Sequence, residues 1–225
     1  MKTLRVASYN IRHAADAGFD MSVLAGVIRS VGAEIVGLQE VDMNAAISGS
    51  HDQVKELMEA LGFEYGEFVR SIDIRGGQYG TAVVSKYPIT DKTVYPLYLG
   101  PKSEQRMLGV FSVDVAGTEL TLANTHLDYL SAETIRTQMR EVNAVLKDKD
   151  YILTGDFNTT DMTQFYELEG ASFTMCDEHR LVTFPSSGIT IDNVVYKGPY
   201  KLTDFGTVEN SYSDHRMLWA EFEIE

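Results

Sequence analysis

Between Phe63 and Asn124 the apolar residues recur at every second position through five successive segments, 63–70, 79–85, 90–98, 107–116 and 118–124. That period belongs to half-buried β-strands, and strands joined by short links pair antiparallel. Ala116-Gly117 marks a hairpin between the last two. Outside this block the period lengthens to that of a helix. Asp20 caps a helix with Leu24, Val27, Ile28 and Val31 on one face and Gly32 at its end. Residues 52–61 repeat the spacing through Val54, Leu57, Met58 and Leu61 and stop at Gly62, and residues 132–146 carry Ile135, Met139, Val142 and Leu146 on one face. Further strands are expected at 4–9, 35–38, 151–156, 191–196, 201–207 and 218–224, with a weaker helix at 162–168. Strand, helix and strand from Leu4 to Leu38 form a parallel unit, so the expected fold is α/β with mixed sheets. Asn10 and Glu40 are expected at the carboxyl ends of neighbouring strands, where open α/β sheets place their ligands.

At 225 residues, 44% hydrophobic, the chain can bury a sizeable core, and no linker or low-complexity tract divides it. One domain, 1–225, is expected, as a monomer. Cys176 is the sole cysteine, which rules out an intramolecular disulfide. The first residues run straight into a strand pattern without the apolar segment of a signal peptide, and no apolar run approaches the roughly 20 residues of a membrane-spanning helix. A cytoplasmic location is the expectation, although a signal already trimmed leaves no trace. Lys and Arg total 19 against 33 Asp and Glu, a formal charge of −14, which opposes binding to a nucleic-acid backbone. A local group such as Arg70, Arg75, Lys86 and Arg106 is the available attraction for a phosphate.

The apolar run 151–154 ends in Gly155, Asp156, Phe157 and Asn158. A buried strand holds the residues past its end in a fixed place, as a reactive site requires. Such an isolated stretch is more often a turn. The site reading gains weight from other strand ends, which supply Asn10, Glu40, His126, Asp192, Asp214 and His215. Hard carboxylate oxygens suit Mg²⁺, Mn²⁺ or Ca²⁺, and the lack of a His-rich or Cys-rich group argues against structural zinc. Imidazoles beside carboxylates suit proton transfer and contact with a phosphoryl oxygen. His13 lies close enough to Asn10 to line the same pocket, and Arg12 and Arg106 are candidate phosphate contacts.

Seven short motifs resemble, in order, those of the endonuclease/exonuclease/phosphatase superfamily, the DNase I-like proteins. They are 8–12 (SYNIR), 37–41 (GLQEV), 80–89 (GTAVVSKYPI), 124–128 (NTHLD), 154–158 (TGDFN), 191–194 (IDNV) and 213–215 (SDH). Each is weak alone; the ordered set covers nearly the whole chain. The resemblance implies a four-layer α/β/β/α sandwich of two mixed sheets flanked by helices, and hydrolysis of phosphate esters with Mg²⁺ or Mn²⁺. It implies Glu40 as the main metal ligand with Asn10 and Asp214 beside it. Asp156 and Asn158 resemble the pair that handles the attacking water and orients the phosphate, His126 the donor to a non-bridging phosphoryl oxygen, and Asp192 the carboxylate that orients His215. Family branches differ on whether Asp156 or His215 takes the proton; His215 is assigned here.

Departures narrow the substrate. The Arg that inositol polyphosphate 5-phosphatases carry two residues past the motif Asn is Thr160 here, and their Trp-Cys-Asp-Arg motif reads Thr190-Ile191-Asp192-Asn193. Arg12 stands where abasic-site endonucleases have an acid, and their basic, aromatic DNA-inserting loops are not evident. The aromatic membrane hairpin of secreted bacterial sphingomyelinases is not evident either. A phosphodiesterase is expected first. A lipid or sugar phosphomonoesterase or a nuclease follows, and then a non-catalytic binding module on the same fold.

Overall fold

The computed structural model describes residues 2–176 and 179–224. Strand β1 (Lys2–Asn10) is followed by α1 (Met21–Ser30), β2 (Ile35–Met43) and α2 (Gln53–Leu61). The antiparallel run β3 (Tyr65–Ile74), β4 (Gly77–Ser85), β5 (Ile89–Pro96), β6 (Met107–Val115) and β7 (Thr118–His126) comes next. Then follow α3 (Ala132–Leu146), β8 (Tyr151–Asp156), α4 (Met162–Phe165), β9 (Ser172–Phe173), β10 (Asp192–Lys197), β11 (Lys201–Val208) and β12 (Met217–Ile224). The strands form two six-stranded sheets, ordered β11-β12-β1-β2-β4-β3 and β5-β6-β7-β8-β10-β9.

Each sheet holds one parallel pair amid antiparallel neighbours. In the first, β1 runs parallel to β2 across the crossover helix α1; in the second, β7 runs parallel to β8 across α3. The period-two pattern decides which residues face which layer. Leu4 and Val6 of β1 point between the sheets and pack with Ile35, Val83, Phe111, Val113, Leu122, Ile152, Val194 and Phe222. Ala7 and Tyr9 point outward and pack with Leu24, Ile28 and Leu57 of the helices. The outer face of the second sheet is covered by Ile135, Met139, Val142 and Leu146 of α3. The result is the helix, sheet, sheet, helix sandwich. A Cβ at Gly37 would collide with Thr154 of the facing sheet, so the sheets meet closely there.

Asp20 accepts from the Ser22 amide and left-handed Gly62 ends α2, as expected; Asp52 and Ser131 likewise accept from the first-turn amides of Lys55 and Thr134. Four local readings change. The helix expected over 162–168 stops at Phe165, and β9 was not anticipated. Strands β3 and β4 continue through 71–78 to a tight hairpin at Arg75-Gly76, where short strands separated by a loop were expected. Strand β2 does not end at Leu38 but continues to Met43, carrying Glu40 inside it. Among the described residues no helix is long and apolar enough to cross a membrane.

Candidate functional site

The two parallel pairs end side by side. Asn10 is level with Gln39 at the end of the first pair, and His126 with Asp156 at the end of the second. Between Leu38 and Val41 the ladder from β2 to β4 slips, and Glu40 takes a left-handed φ of 54° at that bulge. A bulge re-aims one side chain without ending the strand, which is how Glu40 reaches the site from within β2. The interrupted ladder is bridged from the opposite sheet. Asn124 Nδ2 donates to Leu38 O and Ala82 O, each at 2.9 Å, and its Oδ1 accepts from Gln39 Nε2 at 2.8 Å and Thr154 Oγ1 at 3.0 Å. Gln39 is therefore a buried structural bridge rather than a cavity group.

Asp156, 1% exposed, is the centre of the arrangement. Its Oδ2 accepts from Asn10 Nδ2 at 3.0 Å and lies 3.5 Å from His126 Nε2 and 3.6 Å from His215 Nε2; its Oδ1 accepts from the Asn158 amide at 3.0 Å. The other Asn10 Nδ2 bond goes to Glu40 Oε1 at 3.2 Å, while Asn10 Oδ1 accepts from Arg12 N at 3.0 Å. As placed, Asn10 orients two carboxylates. Asn158 donates one Nδ2 hydrogen to Leu127 O at 3.0 Å, which leaves its carbonyl oxygen and its second Nδ2 hydrogen for the cavity.

Hydrogen-bond partners fix the histidine tautomers. Arg106 Nη1 lies 3.1 Å from His126 Nδ1, and a guanidinium only donates; Nδ1 therefore accepts, and Nε2 carries the proton toward Asp156. Burial and Arg106 push the His126 pKa well below its ordinary value, so the ring is neutral. His215 is the reverse case. Its Nδ1 donates to Asp192 Oδ2 at 2.9 Å. Burial alone would lower its pKa, but Asp192, Asp156 and Asp214 outweigh burial and raise it to about 10. Burial and the neighbouring Asp192 raise Asp156 to about 7. Ser213 Oγ donates to Asn10 O at 2.7 Å and accepts from His215 N at 3.2 Å, tying the 213–215 loop to the end of β1.

The remaining predicted residues divide. Arg12, His13 and Ala14 turn through three consecutive left-handed φ values of 47°, 56° and 58°. His13 stacks on Tyr79 with ring centroids 5.1 Å apart, places Nδ1 2.9 Å from buried Asp42 and Nε2 3.6 Å from Glu40. Arg12 instead pairs with Asp16 at 2.8 Å and Asp214 at 3.4 Å, which leaves it outside the cavity lining. Arg106, 3% exposed, lines the cavity beside His126 and Tyr79. Of the expected basic group, Arg106 alone lines the cavity; Arg70 is bonded to Asp73, and Lys86 lies over Phe63. Sequence reasoning missed Tyr79, Asp42 and Phe184, whose ring sits 4.9 Å from that of His215. Asp42, two residues past Glu40 on the same strand, was the one with a readable signal.

Glu40, His126, Asp156, Asn158, Asp214 and His215 line a cavity of about 460 Å³, with His13 and Arg106 beside them. Donor atoms of Asp156, Asp192 and His215 all lie within 4.8 Å of one another; Asp156 and His215 line the cavity together with Glu40 and Asp214, whereas Asp192 is bonded to His215 outside that lining, its Oδ1 buried without a hydrogen-bond partner. Carboxylates at this density, with few cations among them, fit a hard divalent ion.

Comparison with known proteins agrees with this architecture. A protein of Beutenbergia cavernae described as an endonuclease/exonuclease/phosphatase superposes with a TM-score of 0.85 at 24% identity, over 100% of this chain and 72% of that one. A mannosyl-6-phosphatase of Bacteroides thetaiotaomicron gives 0.71 at 18% identity over 98% and 100% of the two chains. TDP2 of D. rerio, complexed with single-strand DNA product, gives 0.76 at 17% identity over 100% of both. No curated protein sequence matches the chain. The model of the endonuclease/exonuclease/phosphatase family matches residues 7–215, and the chain belongs to that family.

Proposed function

We propose that the protein is a phosphodiesterase that uses Mg²⁺ or Mn²⁺ held by Glu40 and Asp214, with Asn10 beside them. One observation carries the reading: Asn10, His126 and His215, from three separate segments, converge on a single buried oxygen of Asp156. A divalent ion, when bound, polarises a phosphoryl oxygen, stabilises the leaving alkoxide and adds positive charge that counters the acidic cluster's hold on the His215 proton. His126, neutral with its proton on Nε2, donates to a non-bridging phosphoryl oxygen, and Arg106 fixes that tautomer from behind. The Asn158 carbonyl and the Asp156 carboxylate hold a water for in-line attack. The water's proton passes to His215, whose ring Asp192 orients and whose imidazolium Asp192 stabilises.

Fold relatives include a phosphatase by description and a protein complexed with single-strand DNA product, so the fold alone does not choose the ester. Charge favours the diester. Glu40, Glu104, Asp156 and Asp214 line the cavity against one guanidinium, and a diester monoanion meets less repulsion there than a monoester dianion. The test is a hydrolysis panel of a chromogenic diester, plasmid DNA, single-stranded RNA, a phosphoinositide and a sugar phosphate, each with Mg²⁺, with Mn²⁺ and with chelator. Metal-dependent cleavage of the diester, with the monoesters slower, is expected. Diester cleavage that survives the chelator, or faster monoester cleavage, overturns the reading.

A further inference from the structure

The cavity is not polar throughout. Ile72, Ile74 and Tyr79 line it from the β3–β4 hairpin of the first sheet, and Phe184, Ile189 and Ile191 line it from the segment leading into β10 of the second. Tyr79 and Ile191 are buried, whereas Ile72, Ile74, Phe184 and Ile189 are half-buried and, among the described residues, belong to none of the three hydrophobic cores. The apolar surface of these four is therefore not explained by packing of the core.

Both walls are held rigidly. The ladder from β3 to β4 slips between Arg70 and Ile72, after which Ile72 pairs with Tyr79 and Ile74 with Gly77, so the two isoleucines share one face. On the other side Phe184 N donates to Ile189 O at 2.9 Å, closing a tight loop whose left-handed residue is Gly188. Thr183 anchors that loop: its Oγ1 accepts from Ile191 N at 3.1 Å and Asp192 N at 3.2 Å, and its carbonyl accepts from Arg216 N at 2.8 Å. The apolar wall is thus fixed to the same backbone that carries Asp192 and His215.

We infer that the substrate is a phosphodiester bearing, next to the phosphate, an apolar group about the size of a six-membered ring, which lies against Ile72, Ile74, Phe184 and Ile189. This rests on the phosphodiesterase reading and narrows it. The cavity's positive charge argues the same way. Among the described residues its lining includes one guanidinium, Arg106, and no lysine, and Arg106 is already engaged with His126 and Tyr79. A second phosphate has no cation to meet it. A hydroxyl-rich sugar would lose hydration against isoleucine and phenylalanine without recovering hydrogen bonds, whereas an apolar ring gains by leaving water.

The test compares three diesters of equal charge as ligands of the whole protein with Mg²⁺: dimethyl phosphate, methyl cyclohexyl phosphate and methyl glucosyl phosphate. Binding is read by calorimetric titration, and hydrolysis of a chromogenic diester is followed in parallel. The cyclohexyl diester should bind about tenfold or more tighter than dimethyl phosphate, the discrimination an apolar pocket gives for a group of several methylenes, and the glucosyl diester should gain nothing. In the Ile74→Ser/Ile189→Ser variant that advantage should shrink to within about twofold. Equal affinities for the cyclohexyl and dimethyl esters, a preference for the glucosyl ester, or an advantage that survives the double substitution overturns the inference while the chromogenic diester is still cleaved. Failure to cleave the chromogenic diester overturns the phosphodiesterase reading and this one with it.

Discussion

Replacing Asn124 with Ala should destabilise the protein far more than its single side chain suggests. Asn124 Nδ2 is the donor for Leu38 O and Ala82 O at the point where the β2–β4 ladder slips, and its Oδ1 accepts from Gln39 and Thr154. Truncation leaves two buried carbonyls without that donor. It also forces Gln39 Nε2 back on Ser8 Oγ at 3.3 Å, while Thr154 retains its bond to Ala123 O at 3.2 Å. At about 1–3 kcal/mol for each orphaned group, the two carbonyls amount to roughly 2–6 kcal/mol. That is a large part of the 5–15 kcal/mol typical of a folded domain, roughly. Thr154→Val, nearly the same shape, removes one hydroxyl and should cost about 1 kcal/mol. Urea unfolding followed by fluorescence of Trp219, the sole tryptophan, measures both. A loss for Asn124→Ala below about 1.5 kcal/mol, or equal to that of Thr154→Val, would show that the bulge holds Glu40 without help from the second sheet.

Glu40→Gln should weaken Mg²⁺ binding by calorimetric titration while leaving the urea midpoint near that of the parent, because Glu40 is partly exposed and bonded mainly to Asn10; unchanged affinity removes Glu40 from the ligand set. Duplex DNA should bind weakly with a shallow salt dependence, since a charge of −14 and a cavity with one guanidinium release few counterions; a steep slope with submicromolar affinity makes the protein a nuclease. His215→Ala should lower single-turnover diester cleavage by about 10²–10⁴-fold with metal binding retained, and adding Asp192→Asn should cost little more, because paired groups act as a unit; multiplying losses assign the proton to Asp156. Without metal, His215 has a folded pKa near 10, above its unfolded value. Its contribution to stability is therefore complete below about 6.5 and is lost as pH rises through about 10. Asp192→Asn should move that loss to lower pH in urea titrations, and an unmoved profile refutes the pairing.

The strands were legible because they alternate where half-buried, as in β6, or form short apolar runs where buried on both faces, as in β8, and the helices because their apolar faces are continuous. The seven motifs named the residues that meet at Asp156. What the sequence hid was geometry made by irregular backbone. Glu40 belongs to a bulge, and nothing in Gly37-Leu38-Gln39-Glu40-Val41 announces a slipped ladder whose Leu38 carbonyl is met by Asn124 from 86 positions away. Arg12 and Arg106 were indistinguishable as charges. Tertiary placement gave Arg12 two carboxylates as partners and buried Arg106 against a histidine. Phe184 and Ile189 lie in a loop with no periodic pattern, so nothing marked them as cavity wall.

The division of labour between the sheets follows from where the two parallel pairs end. The first sheet delivers Asn10 and Glu40, the acidic side of the cavity; the second delivers His126, Asp156 and Asp192, the side that holds neutral imidazole and buried carboxylate. Asn10 is the group that spans them, with one nitrogen bonded to Glu40 at 3.2 Å and Asp156 at 3.0 Å. The 213–215 loop closes the circuit, since it leads into β12 of the first sheet while His215 bonds to Asp192 of the second. Any change in the packing of one sheet on the other therefore shifts Glu40 of the first sheet against His126 and Asp156 of the second. This accounts for the polar bridge of Gln39, Asn124 and Thr154 between the sheets at this end, where apolar contacts alone fill the space farther away. Directional bonds fix relative position in a way that interchangeable apolar contacts do not, and a site assembled across a seam depends on that position.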